Sequence, residues 1–446
     1  MTGKLLLLAL ILLPFVTGAC VFWLRRGRPQ LVPRVSVFAA VLLVLLVSIA
    51  IPDTSLDLFS QRELSLLPEA QLGIQLLGLA MLGFVLANST DDADEGRSVD
   101  WLLMAWISLG GMVLSLLVRN LPIALLFFIG GAMIWTQGLP TQARQRAASA
   151  TLRYLTLLAF CLPLMLIALR LAELRGELRD VESLERLALA LAVPAFGLIL
   201  GLIPLHAWVF TLAGKTPRAM VYGVTSLVQT AGFALLLRML ADNPWMTYGA
   251  RAVLIGGGAL SSLVGGWLAL SAPKEDPDDW LIYATVANGG MILVGLGTQS
   301  EAAGAGVALL LFARVLALVM TELASQAGAS LRRLANAVGT LTLAGTPGLA
   351  GFPGFWLIVR RLQTTDSPLA ELTLLAGSGL LFATAVRRWS NVIVPTEPPA
   401  PATAQMEGIR RAVMLLIILL VILGLMPGLV AHSLDDALRK LNMPGP

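Results

Sequence analysis

Fourteen apolar runs recur along the 446 residues, and they decide the class of fold before any other feature does. They cover residues 5–24, 35–51, 70–88, 101–117, 121–135, 154–169, 187–205, 219–237, 252–270, 280–297, 304–320, 334–358, 372–386 and 412–431. A helix crossing a bilayer needs about 20 apolar residues, and most of these runs approach that length. In lipid the backbone must satisfy its own hydrogen bonds, so runs of this kind build helices. Hydrophobic residues make up 57% of the chain and charged residues 13%, which leaves most of its length without a water-facing surface. The sequence predicts an all-α polytopic membrane protein of about 14 transmembrane helices.

Lys4 before the first run and TGAC ending at Cys20 faintly suggest a lipoprotein signal. Thr17 stands where such sites favour leucine, and VFWLRRGR follows, so the segment reads as a retained helix with a basic cytoplasmic flank. An even number of spans puts both termini on one side. If that side is external, the cytoplasmic loops carry 17 Lys and Arg against 13 on the external ends and loops, with Arg314 inside a span completing the 31. The positive-inside rule then favours external termini.

Several chemistries are excluded or disfavoured by composition. Cys20 and Cys161 sit in separate spans without CxxC spacing, so the chain alone builds neither an iron-sulfur cluster nor a zinc site, and no cofactor is expected. The net charge of +4 is spread over short loops and suggests no nucleic-acid surface. AGKTPR lacks the upstream glycine of a phosphate-binding loop. The polar segments 52–69, 89–100, 173–186, 274–279 and 394–405 are each too short for an extramembrane catalytic domain. Residues 173–186 alternate acid and base at helical spacing, as a self-paired helix extension beyond the lipid would. The prolines at 395, 398, 399 and 401 read as a stiff connection to the last span.

Two spans carry interruptions. TLAGKTPR (Thr211–Arg218) and AGTPGLAGFPGF (Ala344–Phe355) place Gly and Pro where a continuous helix would lose hydrogen bonds. The first reads as a loop and the second as a kink, or both as the broken helices of an ion-transport fold, whose freed backbone groups face protein or a wet cavity.

The order GLIPLHAW (Gly201–Trp208), TPRAMVYG (Thr216–Gly223), then a helix ending in Arg238 resembles the signature of the antiporter-like membrane subunits. That family serves respiratory complex I, energy-converting hydrogenases and Mrp-type cation/proton antiporters. Counted from His206, the family's later proline falls on Pro217 and its closing arginine on Arg238 without a gap. DPDDWLIYATVANGGMILVGLG (Asp276–Gly297) is similar to a second family segment, with Tyr283, Thr285, Asn288 and Gly290 in matching places and Asp278 and Asp279 where Lys-Arg is usual. LTLAGTPGLAGFPGF (Leu341–Phe355) resembles its late broken helix, and ASATLRYLTLLA around Arg153 and Tyr154 its sixth span. The resemblance implies inverted five-helix repeats, each with one broken helix. It divides the chain into N-terminal helices (1–100), an antiporter-like core (101–360) and C-terminal helices (361–446).

The same resemblance shows what is replaced. Protons cross a low-dielectric slab by hopping between buried ionisable groups. The family's glutamate, its two lysines and its late lysine or glutamate fall here on Ala132, Ile199, Thr230 and Phe355. The candidate polar core that is left comprises His206, Gln229, Thr230, Asn288, Arg314 and Glu322, with Thr225 and Ser226 nearby in sequence. His206 titrates near neutrality when unperturbed and is either a proton-exchange group or a structural one. Gln229, Thr230 and Ser226 read as hydrogen-bond links between helices or as a water path. Arg314 and Glu322 lie eight apart on one helix, about 80° around its axis, so an approach is open but not implied. An intramembrane arginine marks function, or is neutralised by Glu322, a partner subunit or snorkelling.

These residues imply a divergent antiporter-like subunit of an energy-converting complex, of the NADH:quinone oxidoreductase or hydrogenase type. It would be a non-catalytic component in a cell inner (plasma) membrane, contacting other membrane subunits and the lipid bilayer. Proton translocation would be impaired or absent and its role structural. The alternative is a cation/proton antiporter or inorganic-carbon uptake subunit with a non-standard proton path. A stand-alone membrane enzyme finds no supporting residue cluster.

Overall fold

The structure, a computed structural model, describes residues 2–52, 54–57, 62–88, 95–138, 141–175, 181–272, 279–365, 367–393 and 404–428. The acidic residues 89–94, the charged 274–278 and the Pro-rich connection 394–403 lie outside the described residues.

The chain is a multi-pass, all-α membrane protein. Among the described residues, 12 helices have the length and apolarity to cross a membrane. The short helix α5 (Leu121–Gln137) and the interrupted pair α14 (Ala329–Leu343) and α15 (Gly351–Leu362) account for the other two apolar runs. The polar segment 52–69 holds an element that its composition does not announce: β1 (Thr54–Asp57) pairs antiparallel with β2 (Arg62–Leu66). A lone hairpin is marginal in water. Here Leu64 and Leu66 are buried, and Leu64 bridges to Val118.

Two compact units emerge, one of residues 1–201 and 207–250, the other of residues 202–206 and 251–446. In the first, α1 (Thr2–Gly27), α2 (Val32–Ile49) and α3 (Pro68–Asn88) precede α4 (Glu95–Leu117) and α5. The 34-residue α6 (Thr141–Leu174) and α7 (Val181–Leu200) follow, then α8 (Ala207–Ala213). Its last span joins α9 (Arg218–Tyr222), a π-helical turn (Gly223–Val228) and α10 (Gln229–Asp242). The second unit contains most of α11 (Pro244–Ser271), then α12 (Asp279–Gly297), α13 (Glu301–Ala324), α14, α15, α16 (Pro368–Ile393) and α17 (Ala404–Leu425).

Each unit repeats one five-span order with the fourth span broken: α4, α5, α6, α7–α8 and α9–α10 in the first, α11, α12, α13, α14–α15 and α16 in the second. Equivalent contacts recur inside each set. Ser108 on α4 donates its hydroxyl to the Gly131 carbonyl on α5 at 2.7 Å. In the second unit Gly258 on α11 lies so close to α12 that an added Cβ would sit 2.6 Å from the Gly290 oxygen. Small residues let backbones approach in this way where dispersion and weak polar contacts hold helices together.

The 173–186 segment does not extend one helix, since α6 stops at Leu174 and α7 starts at Val181, but acid and base do pair at its two ends. Arg170 pairs with Glu173 at 2.8 Å, Arg175 with Glu185, and Arg186 with Glu182.

Candidate functional site

A helix that stops inside a membrane leaves carbonyls without partners, and such orphans are expensive in an apolar medium. The sequence supplies the stop twice. Helix α7 ends at Leu200 because Gly201 takes φ +64°, a left-handed conformation that side chains disfavour, and Pro204 follows. The interruption therefore begins inside the apolar run 187–205, ahead of the expected TLAGKTPR, and residues 201–206 and 214–217 flank the seven-residue α8. Helix α14 ends at Leu343, before Gly345 at φ +71° and Pro347, and α15 resumes at Gly351.

Both sets of exposed carbonyls are closed by neutral side chains. In the first unit Gln229, 1% exposed on α10, donates Nε2–H to the Leu200 oxygen at 2.8 Å. Trp208 on α8 donates Nε1–H to the Leu198 oxygen at 2.9 Å. In the second unit Asn288 on α12 donates Nδ2–H to the Leu343 oxygen at 3.0 Å, and the Ser378 hydroxyl on α16 donates to the Ala344 oxygen at 2.7 Å. Arg314, 1% exposed near the middle of α13, donates to the Thr285 oxygen at 2.7 Å and to Asn288 Oδ1 at 3.5 Å. Asn288 is thus held from one side and closes the break on the other.

The remaining sequence candidates have different surroundings. Thr230 is buried, and its hydroxyl has no hydrogen-bond partner among the described residues. Thr225 and Ser226 bond back to carbonyls of Val221 and Tyr222 in their own helical turn, which supplies them with local acceptors. Glu322 is buried near the end of α13, in the same unit as Arg314. His206 is half-buried in residues 202–206, where the Ile203 N–H donates to Ser261 Oγ at 3.1 Å. The structure thus joins Asn288 and Arg314 in one hydrogen-bonded group and gives Gln229 the equivalent closing role in the other unit.

The four positions where the resemblance expects ionisable groups are filled by residues that do not ionise. Ala132, Ile199, Thr230 and Phe355 are all buried. A Cβ on Gly232 of α10 would lie 3.0 Å from Ile199 Cγ2, and one on Gly345 would lie 2.6 Å from Phe355 Cβ. Ile199 packs on the last span of its unit and Phe355 on the break itself. Among the described residues no group of three or more His, Cys, Asp or Glu is placed to hold a metal.

Sequence reasoning marked Arg238 only as the signature's closing arginine and did not foresee that each unit carries an arginine clamp. Arg238, 1% exposed on α10, donates Nη2–H to the Arg119 oxygen just past the end of α4 at 2.6 Å and Nη1–H to the Leu116 oxygen in its last turn at 3.4 Å. Its Nε lies 3.7 Å from Asp242. In the second unit Arg387 and Arg388 on α16 reach the Leu270 and Ala272 oxygens at the end of α11, each at 2.8 Å. A cation at a helix C-terminus complements the macrodipole. The signal was present in spacing: Arg238 follows Gln229 by nine residues, as Arg387 follows Ser378.

A second omission surrounds the π-helical turn. Trp135 packs edge-on against Phe84 at 4.9 Å and Trp101 at 6.2 Å, donates Nε1–H to the Met220 oxygen, and lies directly against Gly223. Tyr222 donates its hydroxyl to the Ala80 oxygen at 2.8 Å.

No family model matches the chain. Among curated relatives, NADH-quinone oxidoreductase subunit 14 of Thermus thermophilus is 28% identical over 367 residues, covering 76% of this chain and 81% of the relative. Subunit N of Heliobacterium modesticaldum is 26% identical over 387 residues, covering 76% and 78%. Among solved structures, a chain of the archaeal membrane-bound sulfane sulfur reductase matches with a TM-score of 0.80 at 17% identity, covering 97% of each chain. A chain of Thermus thermophilus respiratory complex I matches at 0.76 and 20% identity, covering 99% of this chain and 100% of that one. A chain of the Mrp complex from Dietzia sp. matches at 0.74 and 15%, covering 98% and 97%. At those identities the structures establish the shared fold. The sequence relatives add homology to subunit N of NADH-quinone oxidoreductase over about three quarters of this chain.

Proposed function

We propose that the chain is an antiporter-like membrane subunit of an energy-converting complex of the NADH:quinone oxidoreductase or hydrogenase type, with a structural role and impaired or absent proton translocation. The observation that supports this reading is the closed, non-ionisable packing at four positions where the resemblance expects titratable groups. Ala132, Ile199, Thr230 and Phe355 offer no proton carrier, and neutral donors occupy the break carbonyls that would otherwise face a wet path. Of the chain's four lysines, Lys4 sits at the very start of the first candidate span and Lys215 between α8 and α9, while Lys274 and Lys440 lie outside the described residues, so among the described residues no lysine stands at mid-span. The chain keeps the helix-break hub as architecture. Its place is a plasma membrane, with external termini and other membrane subunits alongside.

The alternative, a cation/proton antiporter or inorganic-carbon uptake subunit with a different path, draws support from Arg314 and Glu322, both buried in one unit. Affinity purification of the tagged chain from native membranes in mild detergent, with mass spectrometry of its companions, separates the two. Quinone-oxidoreductase or hydrogenase subunits are the expected companions. Recovery alone, or with a single transporter-like partner, would favour the alternative.

A further inference from the structure

The corner between α1 and α2 combines features that the helix breaks do not use. Leu5, Leu8, Leu12 and Val16 on α1 and Phe38, Val41, Leu45 and Ile49 on α2 are exposed apolar side chains. At the end of α1 this surface turns aromatic, with Phe22 49% and Trp23 78% exposed. The next residues are basic: Arg25, Arg26 and Arg28, then Arg34 in the first turns of α2. Apolar stem, aromatic girdle and guanidinium groups follow one another in the order that hydrocarbon, interface and phosphate take in a leaflet.

The arginines have unequal duties. Arg25 is held by Asp100 at 2.6 Å and lies 4.4 Å from the centre of the Phe22 ring, which braces the corner against the start of α4. Arg26, Arg28 and Arg34 are exposed and have no ion-pair partner among the described residues. Trp23 and Arg26 are three apart on α1 and share a face, so the ring that sits at the interface carries a cation beside it. Planar guanidinium groups bind phosphate oxygens through two parallel hydrogen bonds.

We propose that the α1–α2 corner is a binding site for the headgroup of an anionic phospholipid, with Arg26, Arg28 and Arg34 taking the phosphate and Trp23 seating the lipid at the interface. This inference holds whether or not the chain moves protons. The test is native mass spectrometry of the full chain in mild detergent, titrated in turn with phosphatidylglycerol and phosphatidylcholine. The wild type is expected to prefer phosphatidylglycerol. The triple variant R26Q/R28Q/R34Q should bind it at least about tenfold more weakly, since cations near an anionic surface contribute about fivefold each before screening. The R332Q/R333Q variant, which removes half-buried cations at the start of α14, should bind like the wild type. Monodisperse elution of each variant controls for folding. Equal wild-type affinity for the two lipids would overturn the proposal. So would an equal loss in the R332Q/R333Q control, or a preference that appears only after Asp91, Asp92 and Asp94 are changed to Asn, because the chain's own acidic segment would then be the occupant.

Discussion

Replacing Asn288 by leucine tests the closure of the second break most sharply. The two side chains have similar length, so the cavity contribution is small and the loss is polar. Asn288 gives up its 3.0 Å bond to the Leu343 oxygen and its 3.5 Å contact with Arg314, whose 2.7 Å bond to the Thr285 oxygen remains. In a water-soluble core, leaving one buried carbonyl unpaired costs about 1–3 kcal/mol. Between membrane helices measured couplings average about 0.6 kcal/mol and reach about 1.7, because a chain loosened within the bilayer finds other partners. The Leu343 carbonyl ends a helix inside a unit packed on all sides, which puts Asn288→Leu near the top of that range, at about 1–2 kcal/mol. Equilibrium unfolding of the purified protein in mixed detergent micelles measures it. Pairing the substitution with Arg314→Met should cost less than the sum of the two singles, because Asn288 and Arg314 share one group. A change below about 0.3 kcal/mol, with strictly additive singles, would refute the closure argument.

Other perturbations follow from the same contacts. Gly223→Ala forces a methyl into the Trp135 ring and should destabilise the first unit by about 3 kcal/mol or more, beyond the usual cost of overpacking; thermal scans should show partial recovery in Gly223→Ala/Trp135→Phe. Arg238→Met removes a charge-assisted bond of 2.6 Å at the end of α4 and should cost about 2–3 kcal/mol, with proteolysis between α4 and α5 reporting the loosened end. Disrupting the Arg25–Asp100 pair by Asp100→Asn should change stability by less than about 1 kcal/mol, since the carboxylate is 63% exposed. Thr230→Lys buries an ammonium where the structure supplies a single hydroxyl, and should lower the yield of folded protein several-fold, read by detergent-phase size exclusion.

Much of the fold was legible because membrane helices advertise themselves by length. The Gly and Pro residues of AGTPGLAGFPGF marked the second break correctly, since few other sequences stop a helix in lipid. The first break was legible in kind but misplaced in extent. The run 187–205 stays apolar past Leu200, and apolarity carries no record of the backbone turning at Gly201. The hairpin of residues 54–66 was invisible because its few pairs depend on burial of Leu64 and Leu66 against distant residues. Within the site, composition picked out Gln229, Asn288 and Arg314 as rare polar groups among apolar ones. Their acceptors are backbone carbonyls 29 to 55 residues away in sequence, and a carbonyl has no letter in a sequence. The arginine clamps escaped for the same reason, although their nine-residue spacing from Gln229 and Ser378 repeats.

Proton flux decides whether the helix-break hub persists without a proton path. The purified chain would be reconstituted into liposomes enclosing a pH-sensitive dye, and a membrane potential imposed with potassium and valinomycin. Proton entry is expected to be no faster than in protein-free liposomes, with no change when His206, Arg314 or Glu322 is replaced. Entry well above that background, abolished by one of those replacements, would contradict it and assign the chain a working path of its own.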